Sequence, residues 1–488
     1  MRMVTMMAGL FAICGIGCSG VAQAQGAASP YTTGYRYDSA RRVTGVISAD
    51  PDGTGSLSHP AVRNTYDAAG RLIRVEKGWL ASWQPTGIAP ASWSGFSIHQ
   101  MVETAYDNMD RKLVESLWSG GTRYQVTQYS YDAAGRLECT AVRMNPAVFD
   151  SLPSSACQLG SEGSQGPDRI TRNVYDAAGQ VLRVQKAYST SLQQDYATYT
   201  YSPNGKRTSV IDANGNKATM EYDGHDRQSF WRFPSKTAVG QVSTTDYEEY
   251  RYDANGNRTY LRKRDGQVIT YAYDALNRMR LKDVPGTAQD VYYAYDLRGL
   301  QTYARFGSTA GEGLTNNYDG FGRLASSTTT MGGVSRTLGY QYDANGNRER
   351  VTHPDATYFV YDYDGLDRLT AIRENGGTTI ASMRYDQQGR MDRSTRGGVV
   401  SSYGYDAISR LQSLGDDLAG STQDVTTTFG YNPASQIVSR TRTNTAYVFN
   451  GHVTVNRGYQ VNGLNQYSSA GGVTLGYDNN GNLTNDGG

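Results

Sequence analysis

The sequence predicts an all-β fold built from tandem β-hairpins, and three observations predict it. A Tyr-Asp phrase, closed by Gly and then Arg or Asn, recurs along the chain. The composition is rich in Tyr (38) and Gly (56) and poor in Pro (13), which suits strands joined by tight turns. A second turn signal, typical of a two-residue hairpin loop, falls midway between successive copies, as at Asp265-Gly266. A repeat of this kind decides the architecture before any single residue is read for chemistry.

Eight copies of the motif are well formed, and nine looser copies begin at Tyr37, Tyr106, Tyr201, Tyr222, Tyr273, Tyr295, Tyr363, Tyr405 and Tyr431. The Tyr, Asp and Gly of the well-formed copies are Tyr66, Asp67 and Gly70; Tyr131, Asp132 and Gly135; Tyr175, Asp176 and Gly179; Tyr252, Asp253 and Gly256; Tyr318, Asp319 and Gly322; Tyr342, Asp343 and Gly346; Tyr385, Asp386 and Gly389; and Tyr477, Asp478 and Gly481.

Each position of the motif has its own predicted task. Asp bonds its own downstream backbone and fixes the turn. Gly supplies a positive φ at little steric cost. Paired tyrosines two residues apart, such as Tyr129 and Tyr131, lie on one face of a strand. They predict a ladder of cross-strand aromatic contacts when repeats stack. An Asp that recurs at every turn is therefore a structural residue, and we predict no catalytic residue among the copies.

Spacing divides each repeat into one hairpin with strands of about seven residues. From Tyr201 to Tyr405 successive copies begin 20 to 30 residues apart. Second turns at Asn214-Gly215, Gly332-Gly333, Asn375-Gly376 and Gly397-Gly398 complete the pattern. We expect irregular N-terminal repeats over 25–172, with two insertions, and regular repeats over 173–488, ending in the middle of a repeat.

The first 24 residues are typical of a signal peptide. Arg2 precedes an apolar run from Met6 to Ile16, and Ala22-Gln23-Ala24 supplies a small-x-small cleavage site. A lipoprotein anchor at Cys18 is a weaker alternative. We expect export to the periplasm, the cell surface or the medium, with no transmembrane segment after cleavage.

The two insertions carry the unusual residues. Cys139 and Cys157 remain after signal cleavage and are expected to pair in an oxidising compartment. Such a bond closes a loop of about 19 residues and contributes about 3 kcal/mol, the alternative being two free thiols. Three of the five tryptophans, Trp79, Trp83 and Trp93, lie in the other insertion. They predict a cap on the first turn of the fold, with an exposed platform for glycan as the alternative.

Other chemistry has little support in the sequence. Net charge is +1 with no basic block, so we expect no nucleic-acid partner. The five histidines, His59, His99, His225, His353 and His452, form no zinc-ligand pattern. Asp253, Asn255 and Asn257 imitate the start of a calcium loop, yet Arg258 replaces its invariant Gly. We therefore predict no metal, no cofactor and no enzyme activity.

The Tyr-Asp-x-x-Gly-Arg repeat resembles the YD repeat of the Rhs family, which includes bacterial Rhs proteins, toxin-complex C components and teneurins. The phrase from Tyr459 to Tyr467 resembles a stretch found late in bacterial Rhs repeats. The resemblance covers about residues 31–488. It implies a spiralling antiparallel β-sheet that forms a hollow shell, here open or partial. Bacterial members end their shell with an Asp-Pro-x-Gly segment and a variable toxic domain, and we expect this chain to lack both.

The resemblance implies a non-enzymatic scaffold that contains a polypeptide or supports cell-surface contact. One alternative is the front part of a polymorphic-toxin delivery protein whose toxin end is missing. Another is a carbohydrate-binding surface protein. The expected partner is an enclosed or downstream-encoded polypeptide, or a cell-surface glycan or protein.

Overall fold

The computed structural model describes residues 32–449, 451 and 453–487, and in this part of the chain the fold is all-β. The signal peptide, Cys18 and His452 lie outside the described residues. Helical structure among the described residues is limited to five three-residue 3₁₀ turns at Pro90–Ser92, Pro146–Val148, Thr287–Gln289, Ser421–Gln423 and Thr445–Tyr447. Within these residues, no helix is long and apolar enough to cross a membrane.

The strands are short and evenly spaced. Those of the first half are β1 (Gly34–Tyr37), β2 (Val43–Ile47), β3 (His59–Tyr66), β4 (Leu72–Leu80), β5 (Phe96–Tyr106), β6 (Lys112–Ser119), β7 (Thr122–Tyr131), β8 (Leu137–Val142), β9 (Arg169–Tyr175), β10 (Val181–Lys186), β11 (Gln194–Tyr201), β12 (Arg207–Asp212), β13 (Lys217–Tyr222), β14 (Gln228–Pro234), β15 (Val242–Tyr252), β16 (Arg258–Arg262), β17 (Val268–Tyr273), β18 (Met279–Asp283) and β19 (Val291–Tyr295).

The second half continues with β20 (Gln301–Phe306), β21 (Gly313–Tyr318), β22 (Leu324–Met331), β23 (Val334–Tyr342), β24 (Arg348–Thr352), β25 (Tyr358–Tyr363), β26 (Leu369–Glu374), β27 (Thr378–Tyr385), β28 (Met391–Arg396), β29 (Val399–Tyr405), β30 (Leu411–Asp417), β31 (Val425–Tyr431), β32 (Ile437–Arg442), β33 (Tyr459–Val461), β34 (Tyr467–Ala470), β35 (Val473–Thr474), β36 (Gly476–Tyr477) and β37 (Leu483–Asn485).

Strands β1 to β32 form one antiparallel meander, in which each strand pairs with the next in the chain. Among the described residues β1 pairs only with β2 and β32 only with β31, so the sheet is open. We call the edge formed by the Tyr-Asp turns the motif edge. The opposite edge, formed by the connections β2–β3, β4–β5 and onwards, is the loop edge. The face that carries the motif tyrosines is the tyrosine face.

The motif builds one turn, for which the copy at Tyr318 serves as an example. The N–H of Gly322 donates to the carbonyl of Asp319 at 3.0 Å, and the N–H of Asp319 donates to the carbonyl of Arg323 at 2.9 Å. Asp319 Oδ1 accepts the N–H groups of Phe321 and Arg323 at 2.9 and 2.8 Å. This is a type I turn closed by a bulge, and the register shifts at Tyr318 as the extra residue requires.

The fourth residue after the motif Tyr needs a positive φ. Gly322 has φ +81° and Gly70 has φ +86°. Looser copies place other residues there, such as Arg41 at φ +62° and Ser409 at φ +68°. A side chain in this region clashes with its own backbone, so the motif prefers Gly.

The motif Arg links each turn to the next repeat. Arg323 Nε donates to Asp319 Oδ2 at 2.7 Å within its own turn. Its guanidinium lies 4.6 Å from the ring centre of Tyr342 in the following repeat. Ten motif arginines, from Arg42 to Arg410, make both contacts. Cation–π contacts of this kind contribute about 0.5–1 kcal/mol each at exposed sites.

The motif Tyr differs from its predicted role. Its hydroxyl donates to a backbone carbonyl of the preceding repeat, as from Tyr342 to Leu324 at 2.9 Å, and sixteen motif tyrosines do this. The ring of the motif Tyr recurrently contacts the motif Arg of the preceding turn. The expected ladder of tyrosine rings in contact with tyrosine rings is therefore wrong. A guanidinium fits between rings because its planar cation is attracted to the negative ring face.

The second turns are of two kinds. Gly332 and Gly333 both have positive φ, as do Asn375 and Gly376, which gives the predicted two-residue hairpin. Asp265-Gly266 is different, because Lys263 donates its N–H to Gln267 and Gly266 donates to Lys263. This turn repeats the geometry of the motif edge, so its prediction as a two-residue loop is wrong.

Dense packing is concentrated under the two insertions. Ile47, Ala61, Leu80 and Trp93 form one buried cluster. Cys139, Ala141, Ala156 and Ile170 form the other. Away from these clusters most strands are half-buried on both faces, as a single curved layer requires. The division of the chain at residues 172 and 173 stays a prediction, and the sheet itself continues through β8, β9 and β10.

Candidate functional site: the coiled wall

The motif edge of late hairpins lies against the loop edge of early ones. Gln387, in the β27–β28 turn, exchanges two hydrogen bonds with the backbone of Ser58, at 3.0 and 3.1 Å. His99 approaches Ser409 Oγ at 3.1 Å. The N–H of Gly365 donates to the carbonyl of Pro51 at 2.9 Å. We call this line of contacts the seam, and it shows that the sheet winds past its own beginning.

The seam continues to the last described turns through amide and carboxylate side chains. Asn465 Nδ2 donates to Asp212 Oδ2 at 2.7 Å, and Asn214 Nδ2 donates to Asn465 Oδ1 at 2.8 Å. Asn480 Nδ2 donates to Asp265 Oδ2 at 2.7 Å. We call the part of the sheet that begins at β1 the first coil, and the part that lies against it from the β25–β26 turn onwards the second coil. At the seam, the residues of the second coil belong to Tyr-Asp turns or similar turns, and those of the first coil belong to the loop edge.

The seam fixes the girth of the coil. The β2–β3 connection meets the β27–β28 turn, 25 strands further along the chain. A circular wall of about 25 strands, at about 4.8 Å per strand, has a circumference of about 120 Å and a bore of about 38 Å between opposite backbones. A bore of this width is on the scale of a small folded domain.

The second coil is interrupted after β32. The β31–β32 turn lies at β7, where Gln125 Nε2 donates to Ser435 Oγ. The next turn of the second coil, between β33 and β34, lies at the β12–β13 connection. The intervening edge of the first coil, from β8 to β11, has no strand of the second coil paired above it among the described residues.

The three tryptophans of the first insertion do not form a shared exposed platform. Trp93 is 6% exposed and packs edge-on against Phe96 with ring centres 5.8 Å apart. Trp83 lies against that cluster and meets the His59 ring at 5.6 Å. Trp79 instead lines a cavity in the seam. Trp93 and Trp83 are therefore placed as packing residues on the first strands, and only Trp79 remains near a cavity open to a ligand.

The seam cavity has a volume of about 440 Å³ and is lined from both coils. Trp79, Gln100 and His99 contribute from the first coil, and Arg390 and Tyr405 from the second. Burial, and then the positive charge of Arg390, lower the pKa of His99. The His99 imidazole is thereby kept neutral around pH 7, which suits its contact with Ser409 next to a cation.

The second insertion is tied down by a covalent bond and a buried ion pair. Cys139 and Cys157 form a disulfide with a Cα–Cα distance of 5.3 Å. Arg143 contacts Asp168 at 2.5 Å, with side chains 3% and 6% exposed. Arg143 also donates to Gln128 Oε1 on β7, at 3.0 Å from Nε. The insertion is thus fixed onto the face opposite the motif tyrosines.

The motif carboxylates are committed to their turns. Hydrogen bonds from the Arg227 side chain, and then from the backbone N–H groups of Arg227 and His225, lower the pKa of Asp223 to about 2 against the opposing effect of burial. A carboxylate held this strongly ionised is a poor general acid or base near neutral pH. The arrangement supports the prediction that these acids are structural.

Metal ligands are not gathered among the described residues, where no group of three His, Cys, Asp or Glu side chains is placed to hold an ion. The calcium-like phrase folds as a turn. Asp253 Oδ1 accepts the N–H groups of Asn255 and Asn257, at 3.0 and 2.9 Å. Both amide side chains donate to Asn277 Oδ1 of the next repeat. Their polar groups are satisfied by protein, as turn chemistry predicts.

The fold and the seam define a class of protein: a repeat scaffold whose antiparallel sheet winds into an open shell. The RHS Repeat family matches residues 318–358. The tRNA3(Ser)-specific nuclease WapA of Bacillus spizizenii is 24% identical over 316 residues, which is 62% of this chain and 12% of that protein. Human Teneurin-4 is 26% identical over 217 residues, 43% of this chain and 7% of that protein.

Solved structures share the fold. A TcdB2-TccC3-TEV structure superposes with a TM-score of 0.63 at 15% identity, covering 92% of this chain and 25% of that one. TcdB2-TccC3 without its hypervariable C-terminal region gives 0.54 at 15% identity, covering 90% and 26%. The chain carries a match to the RHS Repeat and is similar in sequence and fold to Rhs/YD-repeat proteins. It spans about an eighth of the first curated relative and about a quarter of these solved chains.

Sequence reasoning missed the seam and the buried ion pair. The seam partners are separated by up to 329 residues, and no local pattern marks them. Arg143 and Asp168 flank the cysteine insertion, and a lone Arg and Asp in a Ser/Gly/Pro-rich loop give no signal of burial. The motif Arg is part of the repeat, and its recurrence four residues after Asp is the available signal for the link between repeats.

Proposed function

We propose that this chain is an exported, non-enzymatic wall that encloses a polypeptide. The observation that carries the proposal is the seam, because a sheet that stacks on its own first coil surrounds a space instead of presenting a flat surface. The estimated bore of about 38 Å suits a protein cargo better than a small ligand.

The strongest test looks for the space and its contents. The mature chain, purified from the exported fraction, is imaged by cryo-electron microscopy and treated with proteinase K before and after opening the seam. The opening variant is Asn465→Ala with Asn480→Ala, which removes bonds to Asp212 and Asp265. The matched control is Asn255→Ala, an exposed motif amide bonded within the sheet.

A hollow coil with a co-purifying polypeptide that survives proteinase K is the expected result. That polypeptide becomes sensitive in the opening variant and stays protected in the control. A solid or extended particle, or a hollow particle whose contents are degraded equally in all forms, contradicts containment. A hydrolase activity lost on one substitution outside the repeats contradicts the non-enzymatic part.

A second candidate function is that of a wall belonging to a toxin-delivery protein, whose cargo is a toxin polypeptide. It is favoured by the names of similar proteins, which include tRNA nuclease WapA of Bacillus subtilis, 30% identical over 104 residues, and double-stranded DNA deaminase toxin A of Burkholderia cenocepacia, 26% identical over 133 residues. Reading the DNA downstream of this chain tests it. Further Tyr-Asp repeats followed by an unrelated domain support the toxin role, and unrelated sequence in every frame contradicts it.

Export is proposed on the sequence of residues 1–24. Mass spectrometry of the N-terminus in the periplasmic and extracellular fractions tests it, and a mature chain beginning at Gln25 is expected. Retention of residues 1–24 in the cytoplasm contradicts it. A cell-surface role through glycan has less support, because Trp93 is buried and Trp83 packs beside it.

A further inference from the structure

Among the described residues, strand β32 ends the continuous sheet with an edge that pairs with no further strand. It pairs with β31 on one side, and all six of its residues are exposed, including Ile437 at 57% and Val438 at 56%. Most strands inside the sheet are half-buried along their length. An uncovered strand edge offers a row of N–H and C=O groups to another extended chain.

The direction of its backbone groups follows from one hydrogen bond. The N–H of Thr443 donates to the carbonyl of Thr426 at 3.0 Å, towards β31. Antiparallel strands alternate between residues that bond the neighbour and residues that point away. Thr441 and Ser439 therefore also point towards β31, while Arg442 and Arg440 direct their N–H and C=O groups outward.

The side chains along this edge are basic and apolar. From Val425 to Tyr477 the chain carries no Asp or Glu, while Arg440, Arg442 and Arg457 fall in that stretch. Arg440 lies opposite Phe429 in the register, so Arg440 and Arg442 share the tyrosine face two residues apart. Arg442 has one long bond, to the Tyr447 carbonyl at 3.4 Å. An incoming strand with carboxylates at alternate positions would face both arginines.

We propose that the free edge of β32 binds an extended acidic polypeptide by strand addition. Main-chain bonds to Arg440 and Arg442 hold the segment, and its alternate carboxylates pair with the two guanidinium groups. The chain's own segment 453–461 is a poorer occupant because it carries Arg457 and no carboxylate. A nucleic acid would meet the charge without using the strand edge. The binding site does not depend on the proposed containment of cargo.

Two labelled hexapeptides of one composition test the geometry. Thr-Glu-Val-Glu-Val-Thr places both carboxylates on one face of a strand, whereas Thr-Val-Glu-Glu-Val-Thr places them on opposite faces. Fluorescence anisotropy with the full mature chain should show tighter binding of the alternating peptide, by about two- to threefold, the effect of the one cross-strand ion pair that the second peptide loses, at the middle of the usual range. Hydrogen exchange should slow at the amides of Arg440 and Arg442 when it binds.

Two variants of Arg440 separate the contribution of its side-chain charge from that of its main-chain hydrogen bond. Arg440→Gln removes one charge and keeps the outward N–H, so binding weakens about twofold. Arg440→Pro removes the outward N–H as well, which an edge strand tolerates without losing its inner ladder. It should abolish binding of the peptide with an unchanged melting midpoint. The matched control is Arg280→Gln with Lys282→Gln, a basic pair at the same spacing on β18, which is paired on both sides.

Several outcomes overturn the proposal. Equal binding of both peptides, equal loss in the β18 control, or full binding by Arg440→Pro shows a general charge effect. Tighter binding of a single-stranded oligonucleotide that Arg440→Pro does not weaken shows a polyanion surface. Slow exchange at Arg440 and Arg442 before any peptide is added shows that the chain's own segment already occupies the edge.

Discussion

The motif edge and the loop edge of this sheet are built by opposite rules. The motif edge repeats one turn, with the same Asp-to-backbone bonds at Asp67 and Asp319. The loop edge varies from the two-residue turn at Gly332 and Gly333 to the disulfide-bonded insertion that carries Arg143. A repeated turn stabilises neighbours by identical local bonds, whereas a variable loop needs tertiary contacts of its own.

The two edges differ in how their stabilising contacts are distributed: many small ones along the motif edge, and a few large ones along the loop edge. Along the motif edge many small contacts add up, as nearest-neighbour terms do in other repeat proteins. Along the loop edge a few buried groups carry large terms, because Arg143 and Asp168 have little access to water. The seam joins the two edges, so the coil depends on both.

The largest effect is expected at the loop edge, from Arg143→Met. The substitution leaves Asp168 buried without its cation, which should lower the free energy of unfolding of the folding unit that includes the insertion by about 3–5 kcal/mol. Urea unfolding followed by tryptophan fluorescence measures it. Arg183→Met is the control, since Arg183 and Asp195 are each 42% exposed and their pair should contribute under about 1 kcal/mol. Equal losses in the two variants would contradict the contrast.

Removal of the disulfide comes next. Cys139→Ser with Cys157→Ser should cost about 3 kcal/mol, because the unfolded chain regains the freedom of a loop of about 19 residues. The measurement is the urea midpoint of the double variant against the oxidised protein. Reduced wild-type protein serves as the control and should match the variant. An unchanged midpoint would show that the insertion is held by the buried ion pair alone.

Breaking one motif turn should have a smaller effect. Asp319→Ala removes two backbone bonds and an ion pair, all partly exposed to water, and should lower the melting midpoint by less than either change above. Asp150→Ala is the control, since Asp150 is 93% exposed beside Arg123 and its loss should stay within about 0.5 kcal/mol. Differential calorimetry of both variants measures the contrast. If Asp319→Ala lowers stability as little as Asp150→Ala does, the motif turn does not stabilise the sheet.

The positive-φ position gives a matched pair of opposite sign. Gly322→Ala, at φ +81°, should destabilise by about 1 kcal/mol, and Arg41→Gly, at φ +62°, should stabilise by about 0.5–1 kcal/mol. Thermal melts of the two variants measure both. The same sign for both substitutions would show that packing, not backbone conformation, selects Gly in the motif.

The smallest expected effect per site is the loss of folding stability at low pH. The pKa of Asp223 is lowered from 3.8 to about 2, so its stabilisation is present above the unfolded value and is lost as the pH falls through the folded value. The urea midpoint should be flat down to roughly pH 4 and fall towards pH 2. Asp223→Asn should make that fall shallower. A midpoint that rises with acid would reverse the sign and contradict the pKa.

Prediction from sequence succeeded where the contacts are local. The Tyr-Asp turn forms from five consecutive residues, so its Asp and Gly roles follow from the phrase itself, and the antiparallel meander follows from the spacing of the turns. The prediction of a ring ladder failed because the motif Arg of the preceding repeat occupies the tyrosine ring, and that contact between repeats depends on how the hairpins stack. The alternative of an exposed tryptophan platform does not hold for Trp93, whose buried cluster draws on β2, β3 and β4.

The sequence by itself determined the all-β class, the hairpin unit and the turn that repeats, since backbone geometry within a few residues dictates all three. Only the tertiary structure decided that Asn480 meets Asp265 and that Gln387 meets Ser58, across 215 and 329 residues. The girth of the coil depends on the accumulated twist and curvature of many strands, to which every hairpin contributes a little. No short segment contains that accumulated twist and curvature, so the coiled wall appears only in the folded chain.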